Sequence, residues 1–320
     1  MRKTLVSFTL LLGVVAGGLG VAGPASAAGG SLAISSARLV PAAAVAGVAT
    51  RLIEGARGQV ELEVYELGNP EVITALEAAR RRGVSVRVIL DATEYQSERS
   101  AQELGAAGVS VEEAHVQGGI DHVKLLVADD AVLMGGVNLG TGSSYTTDLD
   151  VELGSPVTAV AAGRVFSADW SAARRGEGYA SGTFGPFVTG GAIEPAMEGL
   201  LGATRGSCVV VANYLTDYGI QDALVAAARR GVAIEAVLNA GAYGAASARS
   251  WLAGHGVRVE MAPSSPYLHA KVLACGGAAI LGSANFSHDG MAYNHELDVE
   301  LVGPAAAAVM AWATGVWKRG

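Results

Sequence analysis

The sequence predicts an α/β protein built from two repeated layered domains. A stretch from Gly55, GARGQVELEVYELGNPEVITALEAARRRGVSVRVILDA, is matched by GATRGSCVVVANYLTDYGIQDALVAAARRGVAIEAVLNA from Gly202. Within both stretches, apolar β-branched runs alternate with segments in which apolar residues recur every three or four positions. A repeat of about 150 residues is an ordinary domain size. We therefore expect two copies of one layered α/β unit.

Each copy opens with a β-α-β unit. Each predicted helix ends in arginines followed by Gly83 or Gly231, which is a typical helix stop. Shorter strand-like runs follow, and each copy closes with a helix that carries Trp170 or Trp317. The predicted strands of the first copy are 60–67, 84–90, 124–127, 131–134 and 150–153, with a helix at 72–82; the second copy has strands at 208–215 and 232–238 around a helix at 220–230.

Three segments divide the chain. Arg2 and Lys3 precede a long uncharged apolar run that ends in Ala25-Ser26-Ala27, the pattern of a signal-peptidase site. We predict a cleaved signal peptide at 1–27 and a secreted or periplasmic protein, with an uncleaved membrane anchor as the alternative. The glycine-rich stretch before Pro195 separates the copies, and this predicts domains at 28–185 and 186–320.

Composition excludes several classes of protein. The chain has 320 residues, of which 51% are apolar and 16% charged, so it is neither a disordered tail nor a coiled coil. Its net charge of −8 argues against a protein that coats nucleic acid, because such binding relies on a basic surface. Cys208 and Cys275 lie in apolar runs and could form a disulfide or remain two buried thiols.

One polar pattern occurs in both copies between these apolar strands. The first copy contains His122-x-Lys124, then Asp129, and Asn138 sixteen residues after the histidine. The second copy contains His269-x-Lys271, with Asn285 at the same spacing. Lysine and asparagine supply positive charge and hydrogen-bond donors to a phosphoryl oxyanion. One imidazole can attack phosphorus while the other protonates the leaving oxygen.

An imidazole used in this way needs an acid on its second nitrogen to fix its tautomer. Asp148 and Glu296, in the matched runs DLDVEL and ELDVEL, lie 26 and 27 residues after their histidines. We expect these acids to orient the histidines. Asp150 and Asp298 also recur and could share the role.

The paired HxKxxxxD…GxxN arrangement, with RGV before a strand in each copy, resembles the phospholipase D superfamily over nearly all of the chain after the signal segment. The resemblance implies a bilobed α/β fold in which a pseudo-twofold axis relates the two copies and the site lies at their interface. It further implies a phosphohistidine intermediate and no metal or cofactor. It also implies roles for particular residues. These are His122 as nucleophile, His269 as general acid, Lys124, Lys271, Asn138 and Asn285 as the phosphate clamp, Asp148 and Glu296 as orienting acids, and Asp129 as structural support.

Two positions depart from the family pattern. Gly276 replaces the aspartate in the second copy, and Gly136 replaces the small hydroxyl residue in the first. The motif alone leaves three functions open: hydrolysis of phospholipids to phosphatidic acid, a secreted metal-independent endonuclease, or a non-catalytic phosphate-binding module. Export and an acidic surface favour the phospholipase, acting as a monomer that touches a membrane surface transiently.

Overall fold

The computed structural model describes residues 34–176, 178–179 and 181–319. The predicted signal segment, 1–27, lies outside these residues. In the part of the chain described, no helix is both long enough and apolar enough to cross a bilayer.

The first half contains eight strands and four helices in the order β1 (Arg38–Pro41), α1 (Ala42–Gly55), β2 (Gln59–Val64), α2 (Pro70–Arg81), β3 (Ser85–Asp91), α3 (Tyr95–Ala106), β4 (Ser110–Ala114), β5 (Lys124–Ala128), β6 (Ala131–Gly135), β7 (Thr146–Thr147), β8 (Leu149–Leu153) and α4 (Pro156–Arg175). The second half contains β9 (Gly182–Phe184), β10 (Phe187–Thr189), α5 (Ile193–Ala203), β11 (Ser207–Ala212), α6 (Tyr218–Arg229), β12 (Ala233–Asn239), α7 (Ala245–Gly254), β13 (Arg258–Ala262), β14 (Tyr267–Leu268), β15 (Lys271–Cys275), β16 (Ala278–Gly282), α8 (His288–Ala292), β17 (Leu297–Val302) and α9 (Gly303–Trp317).

The two halves build matching mixed sheets, which confirms the predicted α/β repeat. The first sheet has seven strands in the order β1-β8-β6-β5-β2-β3-β4. The second has eight, in the order β13-β12-β11-β15-β16-β17-β10-β9. Read from opposite ends, the orders match strand for strand, with β9 as an extra edge. The predicted boundary between 185 and 186 falls inside the β9–β10 hairpin, and the division at that point stays a prediction.

Capping residues fix the starts of the helices α2 and α6. Pro70 starts α2, and the side chain of Asn69 accepts hydrogen bonds from the backbone N–H groups of Glu71 and Val72. Asp217 caps α6 in the same way through the N–H of Ile220. These caps satisfy backbone donors that a helix start otherwise leaves unpaired, so each helix begins at a defined residue.

Three apolar clusters hold the layers together. The central cluster combines side chains from both sheets with α4 and α9, and it includes Trp170 with Trp317 packed at its edge. The other two clusters fill the outer faces, beneath α1 to α3 in the first half and α5 to α7 in the second. Because the central cluster belongs to both halves, burial of apolar surface joins them.

The two cysteines lie opposite each other on neighbouring strands. Cys208 of β11 and Cys275 of β15 are antiparallel partners with Cα atoms 4.1 Å apart. They form a disulfide, which decides between the two alternatives that the sequence left open.

The turn after β5 explains the glycine at position 276. Asp129 has a φ of 48° and Gly276, in the equivalent turn after β15, a φ of 56°. Asp129 accepts hydrogen bonds from the backbone N–H groups of Arg57, Gly58 and Gln59, at 2.8 to 3.0 Å. It therefore fastens the strand β2 to the turn and lies at the opposite end of β5 from His122. Glycine accepts the same left-handed backbone but supplies no carboxylate.

Exchanging these two residues tests the support predicted for Asp129. Asp129→Gly should lower the free energy of unfolding by about 1–3 kcal/mol, the contribution of hydrogen bonds to a charged group. Gly276→Asp should raise it, because its carboxylate would face the N–H groups of Arg205, Gly206 and Ser207. Guanidinium unfolding at pH 7 measures both.

The pH dependence provides the control. Burial slightly opposes ionisation of Asp129, but its hydrogen bonds from Arg57, Gln59 and Gly58 lower its pKa below 3.8. The stabilisation should therefore be complete above about pH 4 and disappear as the pH falls through the lowered pKa. Equal stability of Asp129→Gly and the unchanged protein at pH 7 would contradict this role.

Candidate functional site

The two HxK segments lead directly into β5 and β15, which lie in the middle of the two sheets. Lys124 and Lys271 are the first residues of β5 and β15, and each histidine lies two residues earlier. The backbone before each strand is bonded to the opposite half. The N–H of His122 donates to the carbonyl of His295 at 2.8 Å, and the N–H of His269 donates to the carbonyl of Thr147 at 3.0 Å.

These backbone bonds place each histidine beside the acid of the other half. Nδ1 of His122 lies 3.0 and 2.9 Å from the two carboxylate oxygens of Glu296. Nδ1 of His269 lies 2.7 Å from Oδ2 of Asp148. Both acids expected to orient the histidines therefore contact them, but each one contacts the histidine of the other copy. The cause is that Thr147 and His295, which carry the bridging carbonyls, immediately precede the two acids.

The crossed pairs leave one ring nitrogen of each histidine, Nε2, outside the contact with the carboxylate. With Nδ1 donating to a carboxylate, Nε2 of each ring carries the lone pair of a neutral imidazole. Burial, followed by the charges of Lys124 and Lys271, lowers the pKa of His122 well below 6.5. Burial and the charge of Lys271 also lower the pKa of His269. Both rings therefore favour the neutral form in the absence of substrate.

The two acids differ in their surroundings. Glu296 accepts hydrogen bonds from Oγ of Ser283 at 2.6 Å and from Nδ2 of Asn294 at 3.1 Å. Burial nevertheless raises its pKa to about 7. Burial also opposes ionisation of Asp148, but the charge of Lys271 and the hydrogen bond from His269 outweigh it and lower the pKa.

Gly136 leaves room for the carboxylate of Asp148, which is the shorter of the two acids. A Cβ atom at Gly136 would lie 2.5 Å from Oδ1 of Asp148, so a serine there would collide with the carboxylate. In the second half, Ser283 occupies the equivalent position and holds the longer Glu296. The departure from the motif at Gly136 is thus accompanied by a shorter acid, Asp148, at the facing position.

Both lysines are buried against the histidine segments. Nζ of Lys124 donates to the carbonyl of His122, and Nζ of Lys271 donates to the carbonyl of His269. Nζ of Lys271 is also 3.1 Å from Nε2 of His269. Burial lowers the pKa of Lys124 to about 7 and that of Lys271 below its usual value. An anion bound at this position would favour the charged form of both side chains.

The recurring second acids hold the asparagine loops. Asp150 accepts a hydrogen bond from the N–H of Val137 at 3.0 Å, and Asp298 accepts one from the N–H of Ala284 at 3.1 Å. They therefore do not orient the histidines. Among the described residues, the side-chain oxygens of Asn138 and Asn285, which follow these anchored positions, are buried without a hydrogen-bond partner.

A cavity of about 210 Å³ opens beside His269. Tyr267 borders it with 43% of its surface exposed and donates a hydrogen bond to Asn213. The lining residues are Glu66, Asn138, Gly142, Ser143, Thr146, Tyr267 and His269. This cavity gives a ligand access to one histidine and one asparagine of the predicted set.

Comparison with known proteins identifies the family. The model for the PLD-like domain of cardiolipin synthase matches residues 49–170 and, a second time, 197–317. The two matches together cover more than half of the chain. The chain belongs to the phospholipase D superfamily. A comparison with curated proteins gives no match.

Solved structures share the fold of this superfamily member. Phosphatidylserine synthase from Haemophilus influenzae Rd KW20 aligns with a TM-score of 0.69 and 13% identity, over 90% of this chain and 88% of that chain. Polyphosphate kinase from Porphyromonas gingivalis aligns with a TM-score of 0.67 and 15% identity, over 85% of this chain. The match spans only 45% of the polyphosphate kinase. Nuc from Salmonella typhimurium, a phospholipase D family member, aligns with 42% of this chain and 95% of its own, at 23% identity and a TM-score of 0.40.

Sequence reasoning missed three residues around the site of this phospholipase D superfamily member. Ser283 and Asn294 hold Glu296, and His295 bridges to His122 through its backbone. The Gly-Ser pair in the second motif was a usable signal for Ser283. Asn294 and His295 gave none, because the first copy has threonines at the equivalent positions.

The crossed pairing predicts which histidine responds to each acid. Asp148→Asn should lower the pKa of His269 by a further 1–3 units or so, because the facing negative charge is lost, and should leave His122 nearly unchanged. Nitrogen-15 NMR titration of the imidazoles measures both. Glu152→Gln is the control, since Glu152 lies on β8, the strand that follows Asp148, and is bonded to Arg38 and Arg51. A shift at His122 in place of His269 would contradict the pairing.

Proposed function

We propose that this phospholipase D superfamily member hydrolyses phospholipids to phosphatidic acid through a phosphohistidine intermediate. The observation that supports the proposal is the pair of crossed imidazole–carboxylate contacts with two buried lysines between the halves. Two imidazoles, each oriented by an acid, suit a reaction in which one attacks in its neutral form and the other, when protonated, donates a proton.

In the first step, Nε2 of His122 attacks phosphorus and forms a P–N bond. The P–O bond to the head-group alcohol breaks, and protonated His269 donates its proton from Nε2 to the leaving oxygen. Glu296 stabilises the positive charge that develops on His122. Lys124, Lys271, Asn138 and Asn285 supply charge and donors to the phosphoryl oxygens as the reaction proceeds.

In the second step, His269 is neutral and accepts a proton from water. The oxygen of that water attacks phosphorus, the P–N bond breaks, and phosphatidic acid leaves. His122 regains its lone pair and His269 regains the proton that it donated in the first step. The cycle is balanced without a further reactant.

Charge favours a single phosphodiester over a polyanion. The chain carries a net charge of −8, and Glu66 lines the cavity beside His269. A nucleic acid strand would bring many phosphates towards this surface, whereas a phospholipid brings one. The predicted export of the chain agrees with an extracellular or periplasmic lipid substrate. A metal-independent endonuclease is the alternative from the sequence.

Transfer to an alcohol is the second candidate. The matching family model is described as cardiolipin synthase, and the fold is shared with a phosphatidylserine synthase. In this reaction an alcohol replaces water in the second step and the product is a new phosphodiester. Access of water to the phosphohistidine would decide between the two outcomes.

Product analysis tests the proposed activity. The full chain is incubated with mixed phospholipid vesicles in EDTA, and phosphatidic acid is quantified. Formation of phosphatidic acid is expected without added metal, because the lysines supply the positive charge at phosphorus. His122→Ala and His269→Ala should each lower the rate by on the order of 10³-fold or more, whereas His255→Ala, at the surface, should not.

Other products would redirect the assignment. A new phosphodiester formed with added glycerol would favour transfer. Cleavage of DNA without phosphatidic acid, falling steeply with salt, would favour the endonuclease. Full activity of His122→Ala would remove that residue from the chemistry.

The pH profile tests the role of His269 as the acid. The charged groups facing it are Asp148, Lys271 and Lys124, and burial with Lys271 lowers its pKa below 6.5. A general acid must start protonated, so kcat/KM should fall as the pH rises through this lowered pKa. Initial rates from pH 4 to 9 measure the fall. A rate that increases steadily above pH 7 would contradict the assignment.

A further inference from the structure

A second cluster of ionisable groups includes His295, whose carbonyl accepts the backbone hydrogen bond of His122. The proposed reaction does not use the side chains of this cluster. Glu63 comes from β2, Asp169 from α4 and His295 from the residue pair before β17. One ligand atom of each lies within 4.8 Å of the other two. Nε2 of His295 is 3.1 Å from Oδ2 of Asp169 and 3.7 Å from Oε1 of Glu63.

These groups are buried, and among the described residues the atoms that face one another have no hydrogen-bond partner. Glu63, Asp169 and His295 are 0%, 1% and 3% exposed. Among the described residues, both oxygens of Glu63, Oδ2 of Asp169 and Nε2 of His295 have no hydrogen-bond partner. His295 and Asp169 are close enough for a hydrogen bond but are not aligned for one. A buried polar group left in this state costs free energy, so an ion or another partner is expected there.

Among the described residues, the cluster gathers three carboxyl groups around one imidazole. Asp121, which is fully buried, faces Glu63, Asp169 and His295, and one of its oxygens has no hydrogen-bond partner among the described residues. His295 is the base that faces these carboxylates. A divalent cation would balance these carboxylates, with His295 coordinating it as a neutral imidazole.

We propose that Glu63, Asp169 and His295 bind one divalent transition-metal ion, Zn²⁺ or Mn²⁺, that clamps the two halves together. Ligands about 2.0–2.1 Å from a tetrahedral ion lie about 3.3 Å from one another. The observed 3.1 and 3.7 Å separations lie on either side of that value. One imidazole nitrogen with carboxylate oxygens suits Zn²⁺ or Mn²⁺. An ion between His295 and Asp169 also explains why the two are close but not aligned.

The clamp would position the reactive pair without contacting phosphate. The carbonyl of His295 accepts a hydrogen bond from His122, its N–H donates to the carbonyl of Ile120, and its neighbour is Glu296. Two ligands come from the first half and one from the second, so the ion would fix the approach of Glu296 to His122. A cavity of about 280 Å³ lined in part by His115, Tyr179 and His295 would let an ion reach the cluster.

Metal content tests the clamp independently of activity. The full chain, produced with Zn²⁺ or Mn²⁺ in the medium, is desalted and analysed by plasma mass spectrometry, and its melting temperature is measured with and without each ion. One ion per chain is expected, with a higher melting temperature in the ion-bound protein. Glu63→Gln and His295→Gln should each weaken binding at least about 10-fold. His115→Gln, which alters the same cavity outside the cluster, should bind normally.

Glu63→Gln keeps the size of the side chain and decides the question if His295→Gln does not fold. A chain that binds neither ion and melts at the same temperature with or without them would overturn the clamp. Equal metal content in Glu63→Gln, His115→Gln and the unchanged chain would overturn it as well, because the ion would then lie elsewhere. A clamp that fails these tests leaves the lipid-cleaving proposal unaffected, since none of the readouts is catalytic.

Discussion

Each imidazole of the site depends on a carboxylate supplied by the other half of the chain. The contacts of His122 with Glu296 and of His269 with Asp148 bring four ionisable groups into one interface, where His269 is partly exposed and the other three are buried. Burial of a charged group is costly unless it is paired, so the two halves must dock in one relative position for either pair to form. The central apolar cluster supplies the driving force for docking, and the crossed pairs restrict its geometry.

The interface makes the two copies unequal although their folds match. The first half has a short acid against a glycine, and the second has a long acid against a serine. Position 147, the equivalent of His295 in the first half, is a threonine, so the cluster of His295 with Glu63 and Asp169 has no counterpart built around Thr147. Duplication supplied the paired framework, and later substitutions gave the two sides different electrostatic environments. Different environments are needed if one histidine is to attack while the other transfers a proton.

Much of this arrangement could be predicted from the sequence because repetition exposes it. The matched strands, the helix stops at Gly83 and Gly231 and the closing helices with Trp170 and Trp317 follow from local patterns, and the structure has all of them. The HxK and asparagine positions were also found by repetition. The crossed pairing of histidines and acids could not be found by repetition, since it arises from backbone hydrogen bonds between segments more than a hundred residues apart. The cluster around His295 was not predicted either, because its members are far apart in the sequence and do not recur in the other copy.

The turns after β5 and β15 show where such a duplicated protein can diverge without refolding. Both turns require a left-handed residue, and Asp129 and Gly276 meet that requirement in different ways. Codons for aspartate and glycine are neighbours in the genetic code, and the backbone path is the same for both residues. Loss of the carboxylate at such a turn removes hydrogen bonds but creates no steric obstacle. Aspartate can therefore be replaced by glycine at this position of the motif without a change of fold. A glycine there does not indicate that the half of the chain that carries it has lost its function.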